Sequence, residues 1–165
     1  GRFYSKDFDA DFDKQLSEFI DENSAVWVTE IDETTRKRIS KVIDNSYNDG
    51  LSTEETGTAI RNMIIGMGVY RANLISRTET HRVASFANEA VAENMRIAGT
   101  VKEWVAIQDE RTRITHAFAS GQTVPLEEQF IVGGEKLKFP GDPKGSAGNT
   151  INCRCVVVYT TPDFQ

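Results

Sequence analysis

Only two of the 165 residues are cysteine, Cys153 and Cys155, and they stand two apart. So few thiols exclude a disulfide framework, and the pair without a wider pattern fits a reducing compartment. They also exclude a four-sulfur metal cage within one chain, so a zinc site would need His81, His116 or a carboxylate to complete it. No stretch approaches the ~18 uninterrupted apolar residues that span a bilayer, and no membrane partner is expected. An excess of positive charge is missing too. With a net charge of −6 and 27% charged residues, a non-specific grip on nucleic acid through phosphate neutralisation is disfavoured, although a local basic patch is still allowed. There is no glycine-rich phosphate loop leading into a helix, no internal repeat and no low-complexity tract. The start, Gly1-Arg2-Phe3-Tyr4-Ser5, has neither an initiator Met nor a signal-peptide pattern, so a processed or excised fragment is expected.

What is present suffices for a core, at 39% hydrophobic composition. Residues 1–31 form an acidic arm with Phe8, Phe12, Leu16, Phe19 and Ile20 at helical spacing. This sticky face should dock on the body of the chain or on another protein. Asp32 is placed to cap a helix carrying Ile39, Val42, Ile43 and Tyr47, stopped by Asn48-Asp49-Gly50. Ser52 and Glu55 form a capping box opening a helix with Ile60, Met63 and Ile64, and Gly66 and Gly68 break it. A longer helix should start near Tyr70 to Asn73 and reach about Ala98, with Val83, Ala87, Ala90 and Val91 on one stripe. Arg77 and Glu79 flank that stripe, while His81 points away from it.

After Gly99 the period shortens. Val101 to Gln108 alternates as a strand, Thr112 to Ala119 reads as a short helix, and segments 130–132 and 136–139 flank Gly133-Gly134 as a hairpin. Residues 140–148 are a loop by composition. The last strand should carry Cys153-Arg154-Cys155 into Val156-Val157-Val158-Tyr159, with both cysteines facing one way and Arg154 the other. The expected fold is α+β: a helical N-terminal half packed against a small, mostly antiparallel C-terminal sheet. Region 32–99 and the β-rich region 100–162 would make one compact domain behind the 1–31 arm.

Candidate chemistry concentrates in Asp109, Arg111, Arg113 and His116, directly after a strand. Three roles compete for His116: metal ligand beside Cys153 and Cys155, general base near an arginine pair, or structural histidine donating to a carbonyl or to Asp109. Asp109 with Arg111 or Arg113 reads as a bidentate structural clasp. Glu79, beside Arg77, needs a partner if half buried. A salt bridge to an arginine of the second half and a catalytic carboxylate are the two readings. The cysteines are either plain buried thiols or half a site for a soft metal such as zinc. Trp27 and Trp104 are core or rim anchors.

Taken in order, Arg77-Thr78-Glu79-Thr80, Lys102-Glu103-Trp104, Asp109-Glu110-Arg111-Thr112-Arg113 with His116, Gly121-Gln122-Thr123-Val124, Pro140-Gly141-Asp142-Pro143 and Asn152-Cys153-Arg154-Cys155 resemble the phage Mu F-like head morphogenesis proteins. The resemblance covers roughly Leu51 to Tyr159. It implies a minor capsid protein of a tailed phage or prophage, assembled in the host cytoplasm and associated with the portal and the procapsid interior. Portal, capsid or scaffold subunits are the implied partners, with packaged DNA as a further one. Some members of the family carry a histidine three residues before the first cysteine of the pair, where this chain has Thr150, which removes one candidate metal ligand. The rival expectation is enzymatic: a small nuclease or nucleotide-modifying effector with His116 as base, Arg111 or Arg113 stabilising a phosphate-borne charge, and Asp109 and Glu79 in support.

Overall fold

The computed structural model describes residues 6–29, 31–64 and 66–162. The chain divides into two compact units, Gly1–Val83 and Ala84–Gln165. Helices fill the first half, and the described strands lie after residue 100, so the architecture is α+β.

The first unit contains α1 (Lys6–Asn23), α2 (Glu33–Asn48), α3 (Thr53–Met63) and the first part of α4 (Val69–Met95). Local chemistry sets their ends. The Asp32 carboxylate accepts the Thr35 N–H at 2.7 Å and opens α2. Ser52 and Glu55 satisfy each other's backbone donors to open α3, the capping box expected from their spacing. Leu16 and Ile20 of α1 are buried, and α1 packs on α2, where the Ser40 hydroxyl donates to the Ile20 carbonyl at 3.0 Å. The apolar face of the arm therefore docks, at these positions, inside its own unit; the side chain of Phe8 lies outside the described residues. Ile39, Ile43, Ile60 and Ile75 are buried in the same unit. At its far end α4 stops at Met95, short of Ala98, because Arg96 turns into the left-handed region at φ 51°.

The second unit holds the end of α4, β1 (Val101–Val105), α5 (Ile114–Ala119), β2 (Thr123–Pro125), β3 (Phe130–Val132), β4 (Glu135–Leu137), α6 (Ala147–Thr150) and β5 (Val156–Thr160). A three-stranded sheet runs β2-β1-β5, and β3 and β4 form a separate hairpin. Both ladders of the larger sheet are antiparallel. The hairpin turns on Gly133 and Gly134, both at positive φ (59° and 83°), the two-residue geometry that matches strand twist. Alternation along β1 turns Lys102 and Trp104 inward. Trp104 stands at the centre of the core with Ala106, Ala119, Phe130, Val132, Leu137, Cys153 and Cys155.

The strand bounds depart from expectation in two places. β1 ends at Val105 rather than Gln108, and the last strand starts at Val156 rather than at the cysteines. The two departures have one cause. Val105 pairs with Val156 as the last rung of the ladder, so the cysteine segment has no strand beside it. That segment instead turns at Asn152, φ 55°, and the Cys153 N–H reaches back to the Thr150 carbonyl at 3.4 Å.

Lys102 is the unusual core residue, fully buried on a strand face that otherwise carries apolar groups. Its ammonium donates to Glu89 Oε1 at 2.6 Å and to the Lys138 carbonyl at 3.0 Å, and it lies 5.3 Å from the centre of the Phe130 ring. The second Glu89 oxygen accepts the Tyr159 hydroxyl at 2.7 Å. Each polar atom of this buried set thus has a partner, which the cost of an unpaired interior charge demands.

Candidate metal centre

His116 sits in the middle of α5 and is buried. Its Nδ1 lies 3.2 Å from Cys155 Sγ and 3.7 Å from Cys153 Sγ. Donor atoms of the three residues all fall within 4.8 Å of one another. The two thiols do face the same way, as expected, even though the backbone between them is not a strand. The Trp104 ring stands edge-to-face against the imidazole, centroids 5.8 Å apart, and fixes its plane. The Cys155 thiol is pushed far above the ordinary range, first by the hydrogen bond its S–H donates to Cys153 and then by burial. His81, the other histidine, belongs to the first unit and is not in this cluster.

Two straps hold the cysteine segment against α5. Arg154, between the thiols, grips Asp109 in bidentate fashion, Nη1 to Oδ2 at 2.8 Å and Nη2 to Oδ1 at 2.6 Å. Arg113, the residue that starts α5, donates from Nη2 to the Ile151 carbonyl at 2.6 Å. One strap therefore lies on each side of Cys153. Asp109 also accepts the Arg111 N–H at 3.0 Å and the Thr112 hydroxyl at 3.2 Å, which folds its own loop into a turn. Arg154 above all holds the Asp109 carboxyl well below the usual carboxylate range.

The clasp expected at Asp109 exists with a different partner. Arg154 supplies it, while Arg111 is exposed with its Nε 3.8 Å from Asp109 and Arg113 is committed to Ile151. Glu79 likewise pairs elsewhere than expected. It is fully buried and takes Arg82, three residues along its own helix, at 3.1 Å, together with the Trp27 indole N–H at 2.6 Å. The anticipated bridge to an arginine of the second half is replaced by this local pair. Arg77 is exposed.

Other motif residues act on backbone. Gln122 brackets Ile131, accepting its N–H at 2.7 Å and donating to its carbonyl at 3.2 Å, which ties the hairpin to the entrance of β2. Asp142 is buried and accepts the N–H groups of Lys138 and Lys144 at 2.8 and 2.9 Å. Asn149 donates to the Val132 carbonyl at 3.2 Å. These contacts satisfy main-chain groups in segments with little regular structure of their own.

Asp109→Asn is expected to loosen this assembly locally. The carboxylate that clasps Arg154 loses its charge, so amide exchange should speed up across residues 107–113 and 151–155 while the denaturation midpoint moves little. Unchanged exchange in both segments would show that the clasp is ornamental.

The segment that carries these clasps lies within a stretch that matches a known family. The sequence profile of the family described as Phage Mu protein F like protein matches residues 22–158, reaching further upstream than Leu51 and taking in α2. The NAD(+)–arginine ADP-ribosyltransferase EFV of Enterococcus faecalis is 30% identical over 139 residues, 74% of this chain and 28% of that protein. Minor head protein GP7 of Bacillus phage SPP1 is 35% identical over 96 residues, 56% of this chain and 30% of that protein. The chain thus spans less than a third of the length of either relative. No solved structure matches it. This chain belongs to the Phage Mu F-like family.

Proposed function

We propose that the chain is a head protein of a tailed phage or prophage, a minor capsid component that binds other head or portal subunits during assembly. The observation that carries this reading is the 35% identity to a phage minor head protein across 96 residues. The structure is compatible with it, because Asp109, Arg154, Gln122 and Asp142 spend their polar groups on loops of the protein itself rather than facing a substrate. The two relatives bear different activities in their names and share this segment with the chain at 28% and 30% of their lengths, which favours a common scaffold over the source of either activity. Among the described residues no helix is long and apolar enough to cross a membrane.

The enzymatic alternative rests on His116 as a base with Arg111 or Arg113 near a phosphate. Here His116 is 2% exposed with Nδ1 against a thiol, and Arg113 is engaged with a carbonyl, which argues for the assembly reading. We assign the contact surface to α5, a reading supported by Ile114 and Phe118, one helical turn apart and 75% and 85% exposed. An Ile114→Ser/Phe118→Ser double variant should keep its melting temperature within a few degrees and lose incorporation into phage heads, scored by sedimenting particles and quantifying the chain in them. Incorporation at the wild-type level would reject α5 as the contact. Absence of the wild-type chain itself from heads would reject the function.

A further inference from the structure

We propose that His116, Cys153 and Cys155 hold one zinc ion per chain, with a water molecule in the fourth position. Tetrahedral zinc with sulfur at about 2.3 Å and nitrogen at about 2.0 Å sets its donors about 3.5 Å apart for N···S and about 3.8 Å for S···S. The observed Nδ1···Sγ separations of 3.2 and 3.7 Å bracket the first of these. An imidazole lone pair accepts one thiol proton, whereas one ion engages all three donors together. That is the simplest reason for both sulfurs to converge on the same nitrogen.

Charge and donor type favour zinc. Two thiolates and a neutral imidazole balance a divalent cation, and a net-neutral cluster is what an interior with cysteines 3–4% exposed can accommodate. Thiolate with imidazole is a soft-to-borderline donor set, suited to zinc and unsuited to magnesium or calcium. The structure also supplies preorganisation. Asp109–Arg154 and Arg113–Ile151 pin the segment on both sides of Cys153, so the donors are placed without the metal. A ligand histidine ordinarily passes its other N–H to an oxygen. His116 Nε2 is buried and has no hydrogen-bond partner among the described residues, and Trp104 takes over the task of orienting the ring.

We assign the fourth position to the small polar recess that adjoins His116 and Cys155. Arg111, Arg113, Asn152 and Arg154 line it together with His116 and Cys155, and it encloses about 20 Å³, room for one water. Among the described residues no fourth histidine, cysteine or carboxylate joins the three donors, and Thr150 is turned elsewhere. That threonine donates its hydroxyl to the Ser146 carbonyl at 3.0 Å.

Zinc-replete and chelated protein compared by native mass spectrometry, with cobalt(II) substitution of the same sample, tests the assignment. Expected are one zinc per chain, a melting temperature that falls on chelation, and a cobalt spectrum with sulfur-to-metal charge transfer and strong tetrahedral visible bands. Cys153→Ser, Cys155→Ser and His116→Ala should each weaken zinc affinity by more than about 100-fold, since even outer-shell partners cost 10–100-fold. Should a variant fail to fold, the wild-type cobalt spectrum still decides. Wild-type protein that takes up no zinc, keeps the same melt and shows two thiols reacting equally fast with and without the ion overturns the proposal. So does binding of copper alone, or an octahedral cobalt spectrum. The test makes no use of head assembly, so its failure leaves the functional reading where it stands.

Discussion

Replacing Lys102 by methionine should lower stability by about 3–5 kcal/mol, the usual consequence of removing one partner from a buried ion pair. Methionine fills the volume of the lysine stem but leaves Glu89, 1% exposed, with the Tyr159 hydroxyl as its remaining donor. The Lys138 carbonyl loses its donor as well. Burial already raises the Glu89 carboxyl above its ordinary range, against the pull of Lys102 and Tyr159, and without Lys102 it should rise further. A carboxyl raised in the folded state contributes stability below the unfolded pKa and loses it as pH climbs through the folded value. The deficit should therefore be larger at pH 8 than at pH 5. A Lys102→Met/Glu89→Leu double variant should recover most of the loss, because two apolar groups need no pairing. Urea denaturation of the single and double variants reads the coupling directly, and additive losses would mean that the two charges are independent.

Arg82→Met should have a comparable effect in the first unit, again about 3–5 kcal/mol. Its Nη1 donates to both Glu79 oxygens and to the Asn23 carbonyl, and Glu79 would keep the Trp27 indole as partner. Burial dominates the upward push on Glu79, with Arg82 and then Trp27 opposing it. The sign is the same as for Glu89, so the variant should approach wild type near pH 5 and diverge from it by pH 8. Unfolding followed by fluorescence at the two pH values checks this, and a deficit independent of pH would show that Glu79 does not take up a proton. Asp109 works in the opposite sense. Its carboxyl is depressed by Arg154, so what it contributes is present at neutral pH and disappears on strong acidification.

Much of the fold could be read from the chain because its signals are local. Asp32, the Ser52–Glu55 box and the Gly133-Gly134 turn each act within four residues, and each sits where its spacing put it. The two cysteines do face one way as expected, although the strand from which that was argued starts only at Val156. Partner identity was less accessible. Asp109 and Arg154 are 45 positions apart, and nothing in either neighbourhood ranks Arg154 above the nearer Arg111 and Arg113. Glu79 misled in the opposite way, because the arginine it uses is three residues off on the same helix. β2 was missed since three residues ending in Pro125 show no alternation to detect. The burial of Lys102 did have a signal. Period two puts Lys102 on the same face as Trp104 and Ala106, and that face is the core.

The position of β1 between β2 and β5 has a bearing on the order in which the second unit can form. Val101 pairs with Thr160, so the central strand is finished by a segment nearly sixty positions further on. On the ribosome, β1 has β2 as its one described neighbour until Val156–Thr160 has emerged, and the long closure makes that last step the slow one. Cys153 and Cys155 arrive in the same stretch, just ahead of β5. Until they do, Trp104 lacks part of its packing and His116 has no thiol beside it. The core and the His116–Cys153–Cys155 cluster are therefore completed by the same late event, and a chain cut before residue 150 should lose both together.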